Sequence, residues 1–258
     1  MKVITVTNQK GGTGKTTTSL FLKDALIEKG KKVLLIDLDQ QADASYGTGV
    51  EYDPSQTTYE LLTQDLNLDD ILVHVNDQLD LAPAGNQMAK LDVTLTQDHM
   101  LDAQFILSDK LEGYKNNYDY VIIDTPPALS MAVMNALTAS DTVVVPTQAD
   151  LFSLKGLGDL GSTVAAIKRR SNPKLTIAGI LIGRYNSRTI FSKAMTTALT
   201  EAAESLQTHV FETKIREAIS VKESQNAFQS IFEYDPKSKV THDISDFVDE
   251  LLGELENE

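Results

Sequence analysis

The sequence predicts a doubly wound α/β fold, a mostly parallel twisted sheet with helices on both faces. Six short apolar runs carry the prediction: VITVT (3–7), VLLID (33–37), LDLAPA (79–84), YVIID (120–124), TVVVP (142–146) and IAGILI (177–182). Strands this uniformly apolar are buried on both faces, which is the habit of parallel sheets covered by crossover helices. Most of the segments between them have helical length and apolar residues at three and four spacing, as at Leu20, Leu22, Ala25, Leu26 and Ile27. The 258 residues hold only 7 prolines and 14 glycines, with no Ser/Gly tract and no repeat, so a single domain over residues 1–258 is expected.

Taken in order, the first strand runs into the glycine-rich stretch QKGGTGKTTT (9–18), which opens the first helix. Gly11, Gly12 and Gly14 allow a tight turn and let backbone N–H groups approach phosphate oxygens, while the following helix offers its positive amino-terminal end. Lys15 is placed to reach the β and γ phosphates, and the Thr16 hydroxyl to ligate Mg²⁺. The expected ATP-binding residues are Lys10, Gly11, Gly12, Thr13, Gly14, Lys15, Thr16 and Thr17. The second strand ends in Asp37, with Asp39 two residues on, where a carboxylate can face a nucleotide over the carboxyl ends of the sheet and orient water against a γ phosphate. The strand at 120–124 ends in Asp124, and Pro126 and Pro127 stop it. Asp124 stands where a strand-ending carboxylate holds Mg²⁺ directly or through water. Thr16, Asp37 and Asp124 form the expected metal set. The tail DISDFVDELLGELE places Ile244, Phe247, Val248, Leu251, Leu252 and Leu255 on one helical stripe with acids opposite.

Composition removes several classes of chemistry. No cysteine is present, which excludes disulfides, thiolate catalysis, iron–sulfur ligation and cysteine-bound zinc. His74, His99, His209 and His242 are scattered without the close spacing of a metal pair. The amino terminus carries no apolar stretch of signal-peptide type, and no segment approaches the roughly 20 apolar residues of a membrane span, so a cytoplasmic protein is expected. The net charge of −14 opposes nucleic-acid binding by the whole surface, but between Lys155 and Lys222 there are 11 lysines and arginines against 5 acids.

A phosphate loop needs one lysine, and this one has two, Lys10 and Lys15. The common G-x-x-x-x-G-K-[ST] spacing would put a glycine at position 9, which is Gln9; in its place stands KGGTGKT. This stretch resembles the deviant Walker A motif of the ParA/MinD family of P-loop ATPases. The resemblance implies that Lys10 reaches across a nucleotide-sandwiched homodimer to the partner's phosphates and, with Lys15 and Asp39, makes up the catalytic set. VLLIDLD, LAPAG, YDYVIIDTPPAL, VVVPTQAD, NSRTIFSKAM and FEYDPKSK look like successive landmarks of the Soj-like ParA partitioning ATPases. One departure concerns the water-positioning segment, usually D-x-D-P-Q-G-N: here Gln40, Ala42 and Asp43 replace the proline, glycine and asparagine, while Asp39 keeps its place.

With no helix-turn-helix region read ahead of the first strand, the resemblance is to short ParA forms. It implies weak, Mg²⁺-dependent ATP hydrolysis, ATP-dependent nonspecific binding to double-stranded DNA, a ParB-type or small centromere-binding partner, and a nucleoid-associated location. The expected DNA contacts are Arg184, Arg188 and Lys193, with Lys214, Arg216 and Lys222 as a second group; Ser220 stands where the relatives carry another arginine. MinD-type membrane binding fits less well, because Asp246, Asp249, Glu250, Glu254 and Glu256 flank the apolar stripe of the tail and an anionic lipid surface repels them. Iron-protein relatives need cysteines, and tyrosine-kinase relatives a terminal tyrosine cluster, whereas the last tyrosine here is Tyr234. A nucleotide-gated scaffold that positions another cargo is the alternative from a different class.

Overall fold

The computed structural model describes residues 1–97, 102–186 and 190–256. Among them seven strands form one sheet: β1 (Lys2–Val6), β2 (Val33–Asp37), β3 (Val73–Asn76), β4 (Leu79–Ala82), β5 (Tyr120–Asp124), β6 (Thr142–Gln148) and β7 (Thr176–Gly183). Their order is β3-β4-β2-β5-β1-β6-β7, all parallel except the β3–β4 pair. The connection from β1 runs to β2 on one side and that from its neighbour β5 runs to β6 on the other, so a crevice opens at the carboxyl ends of β1 and β5, where such sheets bind ligands. The register sharpens this: Val6 pairs with Asp124 and Asp124 with Asp37, so the two strand-ending acids lie level with the start of the glycine loop.

The apolar runs are buried on both faces for the reason their composition suggested. Ile4, Val6, Leu35 and Ile122 pack on one face with the helices Lys15–Glu28 and Lys239–Leu255. Their neighbours Val3, Leu34, Ile36, Val121 and Ile123 pack on the other with Ile106–Glu112 and Met131–Ala139. A third cluster joins β6 and β7 to the helices Leu151–Arg170 and Ile190–Ser205 through Val143, Val145, Ile180, Leu160 and Leu199. In the C-terminal helix Ile244, Phe247, Val248 and Leu251 are buried as the stripe predicts. Phe211 and Phe247 meet edge to face, 5.1 Å between centroids. A Cβ on Gly179 would stand 2.6 Å from the Phe211 ring, so only glycine lets β7 pass beneath it.

The structure differs from the sequence reading at strand ends. β4 stops at Ala82 rather than at 84, because Pro83 has no N–H to continue the ladder. β6 runs on to Gln148, paired with β7 as far as Gly183. The antiparallel edge strand β3 was not read from the sequence at all.

Candidate nucleotide-binding site

The glycine loop is held open by backbone geometry. Gly12 (φ 75°) and Gly14 (φ 92°) adopt left-handed conformations that glycine reaches without Cβ strain. Gly14 precedes the helix Lys15–Glu28 with no side-chain cap and no acid in the first turn. The first helical N–H groups therefore point into the crevice as a ready anion site. Two side chains outside the motif brace the loop. Asn8, fully buried, donates from Nδ2 to the Pro146 carbonyl (2.8 Å) and accepts the Lys10 N–H (3.0 Å). Gln148 at the end of β6 donates to the Gly12 carbonyl (2.7 Å).

The two lysines diverge. Lys15 is buried in the loop, its ammonium 3.4 Å from the Lys10 carbonyl; burial lowers its pKa, against the pull of Asp124 and Asp39. Lys10 instead extends to Asp150, 2.5 Å from its Oδ2. Asp150 also caps the helix Leu151–Arg170 by accepting the Ser153 N–H (3.0 Å). Burial works against the ionised form of Asp150, but its bonds to Lys10 and Ser153 outweigh that and hold the carboxyl below its ordinary pKa.

Beside the loop, Asp37 and Asp124 are both fully buried. Asp124 accepts the Thr16 hydroxyl on one oxygen and the Ser19 hydroxyl on the other, each at 2.8 Å. Asp37 accepts the Ser45 N–H and hydroxyl (2.8 Å each) and the Asp39 N–H (3.0 Å). Burial raises the Asp37 carboxyl to about 6; burial, then the charge of Asp37, raises Asp124 to about 7. Two adjacent buried carboxylates with a threonine hydroxyl form a hard-oxygen set that suits a divalent cation, whose charge offsets their desolvation. Asp124→Asn is therefore expected to stabilise the ligand-free chain by about 1 kcal/mol, or roughly 2–4 °C in Tm, while removing the Mg²⁺ dependence of nucleotide binding. Thermal melts of both proteins with and without MgATP decide it; a less stable ligand-free variant contradicts the account.

Asp39 is half-buried just beyond β2, and its Oδ1 accepts the Gln41 N–H (3.1 Å). The turn after it bears the cost of the altered segment, because Ala42 sits at φ 55° where a glycine would be unstrained. Ala42→Gly is expected to stabilise the chain by about 1 kcal/mol, offset in part by added unfolded-state entropy; denaturant titration reads it, and a loss of stability argues against strain at this turn.

A cavity of about 170 Å³ continues from the loop, reached at Thr13, Gly14 and Thr17 and floored by Phe21, Leu181 and Ile215. Its lining also includes Arg184, Arg216 and Lys222, three of the cations read from the sequence as DNA contacts. The Arg216 guanidinium is bound by Asp243 through Nε (2.6 Å) and Nη2 (2.7 Å). Lysines and arginines near in sequence share a sign, but the fold decides which face each joins. Lys214 bonds the Glu212 carbonyl (3.0 Å) and lies 5.7 Å from the Tyr185 ring centroid, Lys193 is exposed on the helix Ile190–Ser205, and Arg188 lies outside the described residues. The sequence reading missed Asn8, Ser19, Ser45, Gln148 and Asp150. Ser19 alone left a signal there, one helical turn after Lys15.

Among the described residues no helix is long and apolar enough to cross a membrane. The family AAA_31, described as an AAA domain, matches residues 1–177. The chain is 38% identical over 240 residues to the sporulation initiation inhibitor protein Soj of Bacillus subtilis (strain 168), covering 92% of this chain and 93% of that one. It is 33% identical to the chromosome partitioning protein ParA of Myxococcus xanthus (strain DK1622), covering 92% and 83%. Among solved structures it is similar to cobyrinic acid a,c-diamide synthase from Mycobacterium smegmatis with bound ATP analogue and magnesium, at 30% identity, 99% and 96% coverage and a TM-score of 0.83.

Proposed function

The chain belongs to the ParA/MinD-type AAA_31 family of P-loop proteins, and from that premise we propose that it is a partitioning ATPase that dimerises around ATP and Mg²⁺. In the ATP state it binds double-stranded DNA without sequence preference, and hydrolysis releases it, so that plasmid or chromosomal DNA is segregated with a ParB-type partner. The observation that carries the reading is the divergence of two lysines on one loop. Lys15 serves its own phosphate site, while Lys10 leaves that site for the exposed side of the loop, bonded there to Asp150. A second lysine so directed supplies charge to a phosphate held by another copy.

Within each subunit the glycine loop and helix start bind the phosphates, Lys15 balances their charge, and Thr16, Asp37 and Asp124 hold the cation. The cation, when bound, neutralises charge on the β and γ phosphates. Asp39 orients the attacking water. The cavity beside the loop takes the base and ribose. Buried acids and serine hydroxyls fix these groups beforehand, so little reorganisation is left to the reaction.

The direct test is duplex binding at graded salt with ATP, ADP or no nucleotide. Wild type is expected to bind only with ATP. Arg188→Ala is expected to flatten the log–log salt slope by roughly two units, since each of two subunits loses one phosphate contact at about 0.9 per contact. Equal binding with ADP, or an ATP dimer that ignores DNA, moves the function to a nucleotide-gated scaffold for another cargo.

A further inference from the structure

The acids of the C-terminal helix form a rail for one wall of the nucleotide cavity. Asp243, Glu250 and Glu254 are spaced seven and four residues apart on the helix Lys239–Leu255, so at 3.6 residues per turn they return to one side within about 40°. Each meets a successive point of the segment 209–216. Glu254 Oε1 lies 2.8 Å from His209 Nε2, and Glu250 accepts the N–H groups of Glu212 (2.6 Å) and Thr213 (3.0 Å). Asp243 takes the N–H of Arg216 (3.1 Å) together with its Nε and Nη2. The other edge of the segment is tied to β7 and the residues after it, by Phe211 N–H to Ile180 O (3.1 Å), Ile215 N–H to Ile182 O (3.0 Å) and Tyr185 N–H to Ile215 O (2.9 Å). The segment is thus clamped between sheet and helix; its end supplies Ile215 and Arg216 to the cavity, and the next two residues supply Glu217 and Ala218.

We propose that Asp243 is a positioning residue for the nucleoside half of the bound nucleotide: it fixes Arg216 as a wall of the cavity, so that recognition of base and ribose depends on the docked C-terminal helix. This rests on the phosphate-loop reading above. An arginine left unheld spreads over many rotamers, whereas a bidentate carboxylate sets the plane of its guanidinium before a ligand arrives. Asp243 is suited to the task, with its side chain 13% exposed against 46% for Arg216. The phosphate loop is braced independently, by Asn8 from the β1 side and Gln148 from β6. Nucleoside and phosphate recognition therefore separate, and Asp243 acts only on the first.

The experiment measures the affinities of Mg-ATP and of Mg-tripolyphosphate, which has no nucleoside, by calorimetry on the full chain. Asp243→Ala is expected to weaken Mg-ATP about tenfold while Mg-tripolyphosphate stays within about twofold. Asp243→Asn, which keeps the shape and one acceptor, falls between and serves if the alanine variant does not fold; Asp243→Glu restores part of the loss. Glu254→Gln, at the far end of the rail, is expected to leave the ratio of the two affinities unchanged. An equal fall for both ligands overturns the proposal, as does unchanged Mg-ATP affinity in a folded Asp243 variant, or a Glu254→Gln effect as large as that of Asp243→Ala. Wild-type protein that binds Mg-ATP but no tripolyphosphate overturns the phosphate-loop reading and this inference with it.

Discussion

Lys15→Ala is expected to lower Mg-ATP affinity by about 100-fold or more while the chain remains folded. The residue is 7% exposed, its ammonium beside the Lys10 carbonyl, and desolvation lowers its pKa against two acids, Asp124 and Asp39, that raise it. Charge-assisted hydrogen bonds to phosphate contribute about 1.5–3 kcal/mol, and low local dielectric places this lysine at the upper end. Removing the ammonium leaves the β and γ phosphates facing Asp124 and Asp37 with less compensating charge. Folding survives because the desolvation cost of Lys15 goes with it. Titration calorimetry with Mg-ATP measures the loss, and a thermal melt checks the fold. Affinity within about threefold of wild type would mean that the loop does not bind the phosphates.

The parts of the site legible in the sequence were those made by local chemistry. A glycine turn between an apolar strand and a helix announces a phosphate loop, and Asp37 and Asp124 announce themselves as lone acids closing apolar runs. Parallel register then places them level, which a doubly wound sheet requires. Features made by distant chain segments were not legible. Asp150 meets Lys10 across 140 residues, and Asp243 meets Arg216 only because a helix packs beside β7. Arg216 and Lys222, which the sequence grouped with Lys214 as a second set of cations, also line the cavity beside the glycine loop, a proximity made by the fold and not by spacing. The strand β3 escaped notice for a local reason: it is only four residues long, and its alternating residues are half-buried and exposed, so it carries no apolar run. The acids of the C-terminal helix could be placed by spacing opposite its apolar stripe, but not their partners: Asp243, Glu250 and Glu254 bind protein groups of a distant segment.

The second large effect concerns Lys10. Lys10→Ala is expected to bind Mg-ATP close to normally, since Lys15 and the backbone loop are intact, but to remain monomeric with ATP and to lose hydrolysis. Asp39→Ala makes the complementary case: it retains the contacts that hold nucleotide and is expected to accumulate as an ATP dimer without turnover. Asp150 sharpens the test. In the monomer its carboxylate holds Lys10 at 2.5 Å, so delivering that lysine to a partner's phosphate first requires breaking an ion pair between side chains 26% and 31% exposed. Partly exposed pairs contribute about 0.2–1 kcal/mol, and a dimer breaks two. Asp150→Asn keeps the helix cap to Ser153, because asparagine caps as well as aspartate, and removes only the charge. It is expected to lower the chain concentration needed for the ATP dimer by roughly 2- to 30-fold, with Mg-ATP affinity of the monomer unchanged. Sizing chromatography with light scattering, run with ATP and with ADP, reads all three variants. A stable, active Lys10→Ala dimer removes the role given to this lysine, and a weaker dimer in Asp150→Asn would show that the Lys10–Asp150 pair persists in the dimer rather than opposing it.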